Sequence, residues 1–271
     1  MTDALEEQAG LSQNALTGRV EFDHVYKAFP LQTGESYVAI SDLTFSIEPG
    51  EVVAIVGQTG AGKSTALNLL LGLMPPTGGA VRVNGRDPYH DFDDFRGRIG
   101  IIFQTDRLMP WRTTLANAVL GLEVLGVPKA EREATAMRWL QKLGLGDFIH
   151  AWPHQLSGGM RQRASIARIF TLNPDILLAD EAFSHLDELT ARELRRDLLS
   201  LVSETRKTTL FVTHSVEEAV SLGQRILVFA RPGRVVQELS VPPDLGELAR
   251  TALCAQVVEA LSSARTLPAG R

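Results

Sequence analysis

Nine consecutive residues, "GQTGAGKST" from Gly57 to Thr65, gather glycines, a lysine and a hydroxyl at a spacing suited to holding an anion. Gly60 and Gly62 let the backbone curl so that successive N–H groups face inward, and Lys63 adds a mobile cation for outer phosphates. The Ser64 hydroxyl is placed to ligate Mg²⁺, and a helix opening at Lys63 points its positive end at the same place. Gln58, Thr59, Ala61 and Thr65 complete the loop. A bare GxxxxGK[ST] arises by chance in glycine-rich turns. Here the apolar "EVVAIV" supplies the buried strand before it, and a helical stretch follows.

Paired acids form a second element. "DILLADEAF" is an apolar strand ending in Asp180 and Glu181. Adjacent carboxylates at a buried strand end repel unless something positive sits there. Asp180 can hold the metal through water and Glu181 can polarise an attacking water; a surface acidic turn is the alternative. "LFVTHS" ends another strand with His214, which could reach a terminal phosphate and that water, although a lone histidine at a strand end is usually structural. "LSGGMRQR", Leu156 to Arg163, reads as a second phosphate-binding helix start, with Ser157 lying 94 positions after Lys63. Its plain alternative is a helix capped by a serine hydroxyl, with glycines for close packing.

These groups need a scaffold. From Arg19 the chain is β-rich: "RVEFDHVYKAF", "LTFSIEPG" and "AVRVNG" suggest short antiparallel strands beside the strand that enters the glycine loop. The helix from Lys63 runs to Gly72 and cannot extend through Pro75 and Pro76. Between Thr105 and Leu156 the β signals vanish, and Ala134, Met137, Trp139, Leu140 and Leu143 are spaced as one helix face. After this insert, "DILLAD", "TTLFVT" and "RILVFA" alternate with helical stretches such as Glu188 to Thr205, the pattern of a parallel α/β sheet. The expected organisation is a mobile arm over residues 1–18, one domain over 19–240 with a helical insert at about 105–165, and a short helical extension over 241–271.

The 271 residues are 44% hydrophobic and 22% charged, with a formal net charge of −5, so no global positive field draws the chain to nucleic acid or anionic lipid. Cys254, the sole cysteine, excludes an intrachain disulfide and a CxxC metal site and suits a reducing compartment; the simplest expectation is a partly buried helix thiol. Apolar runs fall far short of the roughly 20 residues that span a bilayer, and the acidic "MTDALEEQAG" is unlike a secretory signal.

The ordered set, phosphate loop, Gln104 in "IIFQTD", "LSGGMRQR", "LLADEAF", "SHLD" and "VTHS", resembles the ATP-binding subunit of ABC transporters from about Arg19 to Pro232. The resemblance implies a P-loop NTPase (RecA-like) α/β core with an antiparallel β subdomain and a helical insert, and ATP with Mg²⁺ as its ligands. By it, Gly57 to Thr65 is Walker A, Gln104 the Q-loop glutamine near the metal, and Asp180 and Glu181 end Walker B. Asp187 is the D-loop aspartate and His214 the switch histidine. It further implies an aromatic that stacks on adenine, placed at Phe29, with Tyr26 and Tyr37 as rivals. It implies too that Ser157, Gly158 and Gly159 cap the γ-phosphate bound at Lys63 of a second, head-to-tail subunit, a homodimer or a close paralogue.

A chain without a membrane span drives transport by gripping separate permease subunits. "TDRLMPWRTTLANAVLGLEVLGVP" offers Leu108, Met109 and Trp111 beside Arg107 and Arg112 as a shelf for a short permease helix; helical core is the alternative. "FQTDRLMPW" and "HQLSGGMRQRASIAR" look most like the branch importing nitrate, sulfonates or taurine. That branch implies a substrate-binding protein and a place on the cytoplasmic face of the bacterial inner membrane. Ala182 stands where the family usually has proline, His185 where a small residue is commoner, and Gln58 where proline or histidine is frequent. An ABC ATPase acting on DNA or ribosomes usually needs a long coiled coil or tandem cassettes. A regulatory nucleotide sensor uncoupled from transport is opposed by the intact Glu181, and an importer of another cargo class stays open.

Overall fold

In the computed structural model, residues 18–266 are described. The expected arm falls outside them except for Gly18, whose N–H donates to Asn84 Oδ1 at 2.8 Å. The strands are β1 (Val20–Pro30), β2 (Ser36–Ile47), β3 (Val52–Gly57), β4 (Gly78–Val83), β5 (Ile99–Ile102), β6 (Ile176–Asp180), β7 (Thr208–Thr213), β8 (Arg225–Ala230) and β9 (Gly233–Ser240). The helices are α1 (Lys63–Leu70), α2 (Thr114–Ala118), α3 (Leu120–Val124), α4 (Lys129–Lys142), α5 (Gly158–Leu172), α6 (Glu188–Thr205), α7 (Val216–Leu222) and α8 (Glu247–Thr266).

All nine strands among the described residues join one sheet in the order β4-β1-β2-β9-β8-β3-β7-β6-β5. The block β8-β3-β7-β6-β5 is parallel throughout, whereas β4-β1-β2 is antiparallel. The antiparallel strands are therefore not beside β3, as their place in the chain suggested. They reach it through β9, parallel to β2 and antiparallel to β8. That ordering is set by long-range pairing, which leaves no local mark in the sequence.

The inner strands β3, β6 and β7 are buried on both faces, which is why they read as unbroken runs. Val52, Ala54 and Val56 of β3 face one core with α4, α5, α6, α7 and α8, while Val53 and Ile55 face a second core with α1, β1 and β2. In α4 the buried positions are Ala136 and Leu140, with Leu143 just beyond; Ala134, expected inside, is exposed. The spacing of Ala136, Leu140 and Leu143 fits the 3.6-residue period and turns its stripe toward α5. Within the described part of the C-terminal extension Glu247–Thr266 forms one helix, and Leu253, Val257 and Ala260 of α8 seal the same core.

Candidate nucleotide site

Parallel strands place their C-terminal ends along one edge, and such an edge is where α/β sheets bind ligands. Register shows how closely they converge: Val56 pairs with Thr213, Val212 with Asp180, and Ala179 with Ile102. Gly57, His214, Glu181 and Gln104 lie at or just past this row. Residues spread over 158 positions of sequence thus meet because β7 lies between β3 and β6.

The cradle takes the shape its composition dictates. Gly60 and Gly62 have φ of 82° and 81°, where a side chain is strained. At Gly62 a Cβ would also come within 2.9 Å of the Ala39 carbonyl. Lys63 curls back into the loop, its Nζ donating to the carbonyls of Gly57 at 2.6 Å and Gln58 at 3.1 Å. Burial lowers its pKa, opposed by the nearby charges of Glu181 and Asp180. A cleft of about 180 Å³ is lined by Thr59 to Thr65, Glu181, Ala39 and Tyr37. Tyr37 therefore borders the phosphate cradle. Phe29 does not line this cleft; it is half-buried, pairs with Tyr37 across β1 and β2, and has Lys27 Nζ 5.2 Å from its ring centre.

Opposite the cradle, Asp180 ends β6 and Glu181 turns out of it. Burial raises the Asp180 pKa first, the neighbouring Glu181 charge second, while Lys63 and Arg107 act against the rise. Glu181 adopts a left-handed φ of 47°, which costs a non-glycine residue on the order of 1–3 kcal/mol. Its N–H still reaches the Val212 carbonyl at 2.8 Å, so the ladder continues while the side chain is swung off the strand. Glu181 Oε2 then meets His214 Nδ1 at 3.3 Å and Gln104 Nε2 at 3.5 Å. A carboxylate pointing at the cradle, flanked by an imidazole and an amide, can orient and deprotonate a water there.

Ser157, Gly158 and Gly159 stand elsewhere. None lines the cleft at Lys63; Ser157 and Gly158 are exposed at the start of α5. The Ser157 hydroxyl accepts from Met160 N–H at 3.3 Å and caps its own helix, and a Cβ on Gly159 would lie 2.7 Å from Thr190 Cγ2. Asp187 is likewise exposed and caps α6, accepting from Thr190 N–H at 3.0 Å, and this backbone bond holds its carboxyl below the usual range.

A profile of the ABC transporter family matches residues 40–184, more than half of the chain. The chain belongs to the ABC transporter family. This cassette is 41% identical to the taurine import ATP-binding protein TauB of Rhizobium johnstonii, covering 80% of this chain and 82% of that one. It is also 41% identical to the glycine betaine/proline betaine transport system ATP-binding protein ProV of Salmonella typhimurium, over 76% of this chain and 52% of ProV. Among solved structures it superposes on MJ0796, described as a dimeric bacterial ABC transporter cassette, with a TM-score of 0.72 and 33% identity, over 82% of this chain and 99% of that one. A post-hydrolysis state of MJ0796 bound to ADP and Pi matches equally well, at 34% identity. The fold is thus that of the ABC ATPase cassette, and the cassette is a transport ATPase that binds ATP.

Several residues of the cassette's site escaped the sequence reading. Gln162, buried in α5, donates to the carbonyls of Phe103 and Ala182, the residues next to Gln104 and Glu181. Thr213 Oγ1, one residue before His214, donates to Glu218 Oε2 at 2.6 Å; Glu218 pairs with Arg195 at 3.4 Å, and Arg195 with Glu188 at 2.7 Å, next to Asp187. For Gln162, Thr213 and Glu218 the signal is a buried polar side chain among apolar ones, and burial is visible only in the fold. The shelf needs a correction. Leu108 lies in the core, 8% exposed, while Trp111 is 69% exposed. Arg112 is engaged by Glu123 at 2.6 Å, and the Arg107 guanidinium lies 3.6 Å over the Phe103 ring. Leu108 belongs to the larger buried cluster, which a four-residue apolar run cannot foretell.

Proposed function

We propose that the cassette powers an importer of small anionic solutes of the taurine or sulfonate class, working as a head-to-tail dimer on separate permease subunits. The observation that carries the dimer is the separation of the two phosphate-binding elements. The exposed glycine start of α5 carries the positive end of a fifteen-residue helix, yet it stands outside the cleft at Lys63. A second copy, turned head to tail, brings Ser157 and Gly158 over the γ-phosphate held at Lys63, so that ATP joins the subunits and hydrolysis releases them.

Mg²⁺ suits this chain's donors: the Ser64 hydroxyl, the Asp180 carboxylate and the Gln104 amide are hard oxygen ligands, and two half-buried acids face a single lysine that burial disfavours as a cation. When bound, the ion neutralises phosphate charge. Lys63 holds the outer phosphates, Glu181 accepts the proton of the attacking water, and His214 and Gln104 orient that carboxylate.

Similarity to TauB supports the import reading and its cargo class, with a substrate-binding protein delivering solute to the permease. Among the described residues no helix is long and apolar enough to cross a membrane. Exposed Trp111, together with the half-buried Met109, is the face offered to the permease at the cytoplasmic side. Reconstitution tests this: the cassette, with a sulfonate-importer permease and its matching binding protein, should hydrolyse ATP faster when taurine or another sulfonate is supplied. Trp111→Asp should abolish permease co-purification while sparing basal ATPase activity. Turnover indifferent to every sulfonate would refute the cargo class, and co-purification of the Trp111 variant would refute the contact.

A further inference from the structure

We propose that Gln162 is a positioning residue for hydrolysis, holding the backbones at Gln104 and Glu181 together and tying both to the helix that begins after Ser157. Gln162 is 4% exposed, and its Nε2 lies 3.2 Å from the Phe103 carbonyl and 2.8 Å from the Ala182 carbonyl. Carbonyls only accept, so the atom facing them is the amide nitrogen, and both of its hydrogens are engaged. Phe103 immediately precedes Gln104, and Ala182 immediately follows Glu181. One planar group thus bridges the two peptide segments whose side chains meet at Glu181 Oε2.

The bridge stands where regular pairing stops. The last register pair between β5 and β6 is Ile102 with Ala179; past it, Gln104 and Glu181 have left their strands. Other contacts fasten α5 to the Gln104 side: Arg161 Nε meets Asp106 Oδ2 at 3.1 Å, and Arg168 donates to the carbonyls of Arg107 at 2.8 Å and Asp106 at 2.9 Å. Gln162 reaches the Glu181 side as well. It lies five residues after Ser157, about 7.5 Å along the helix axis at 1.5 Å per residue. Movement of the α5 start against a partner's nucleotide is therefore passed to the water-activating carboxylate through one buried amide, without any contact between the two phosphate-binding elements of one chain.

The inference rests on Glu181 as the base, and the test separates the two ideas. Gln162→Met keeps the length and volume of the side chain and removes both N–H donors. Expected are unchanged affinity for a non-hydrolysable ATP analogue, an unchanged KM, and a kcat lowered by about tenfold or more. An unchanged kcat, or a raised KM with kcat intact, overturns the proposal. Should Gln162→Met fail to fold, Gln162→Glu serves: protonation restores one donor, so its activity relative to the parent should rise as pH falls, and a flat ratio overturns the proposal. Glu181→Gln run beside them is the control. Retained turnover there removes the base; lost turnover there with a normal Gln162→Met removes the bridge alone.

Discussion

His214 Nδ1 stands 3.3 Å from Glu181 Oε2, although the two residues follow different strands and lie 33 positions apart. The contact exists because β6 and β7 are parallel neighbours paired in register up to Asp180 and Val212. Glu181 alone of the pair faces the cradle, as one of its lining residues. Glu181→Gln should therefore keep ATP binding, lower turnover by about 100-fold or more, and trap an ATP-bound dimer visible by size-exclusion chromatography. Turnover at the parental rate would place the base elsewhere.

Lys63 now donates to two loop carbonyls, and phosphate oxygens are better acceptors for the same amine. Lys63→Ala should weaken ATP binding by about tenfold or more, a loss of roughly 1.4 kcal/mol, in a calorimetric titration. It should also abolish the dimer that Glu181→Gln accumulates. Identical titration curves for the variant and the parent would sink the cradle.

Ser157 has two duties in this reading, capping α5 within its own chain and meeting nucleotide across the dimer. Ser157→Arg loses the cap, worth about 1 kcal/mol, and places a bulky side chain at the contact. Single subunits should bind ATP normally, yet the Ser157→Arg, Glu181→Gln double variant should remain monomeric with ATP by light scattering. Dimers formed by that double variant would show that the α5 start is not at the interface.

Asp180 carries a pH signature. Its folded pKa is raised by burial and by Glu181, so the folded chain binds this proton more tightly than the unfolded chain. The stability it contributes is present below the ordinary carboxylate value near 4 and is lost as pH rises through the raised folded value. Free of nucleotide and metal, Asp180→Asn should unfold at a higher temperature than the parent at neutral pH, with the gap closing in acid. A gap that stays constant or widens as pH falls would contradict this, and ATP turnover should be lost in either case.

Phe29 and Tyr37 divide the adenine question. Phe29→Ala should weaken ATP several-fold while leaving pyrophosphate binding unchanged, because stacking serves the base alone. If Phe29→Ala is silent and Tyr37→Ala shows that same split, the base stacks on Tyr37, which already borders the cradle.

Much of this was legible before folding. Gly60, Gly62 and Lys63 state their chemistry locally, because a curled anion nest needs glycines and a cation within a few residues of one another. The apolar runs of β3, β6 and β7 announced a parallel sheet for an equally direct reason: strands covered on both faces have no polar side to display. Leu108 and Ala134 were misplaced because a short apolar run or a single alanine does not say which neighbour will cover it. Gln162 carries no local signal of its role, since its worth lies in two carbonyls, 59 and 20 positions away.

By itself, then, the sequence determined a phosphate loop, paired acids at a strand end, a capped second helix start and a family, since each of these is written within ten residues or in the order of such stretches. The tertiary structure decided that β7 lies between β3 and β6, that Glu181 leaves its strand to meet His214 and Gln104, and that Ser157 lies outside its own chain's cleft. Those outcomes depend on strand order, register and burial, and all three arise from contacts between residues that are distant along the chain.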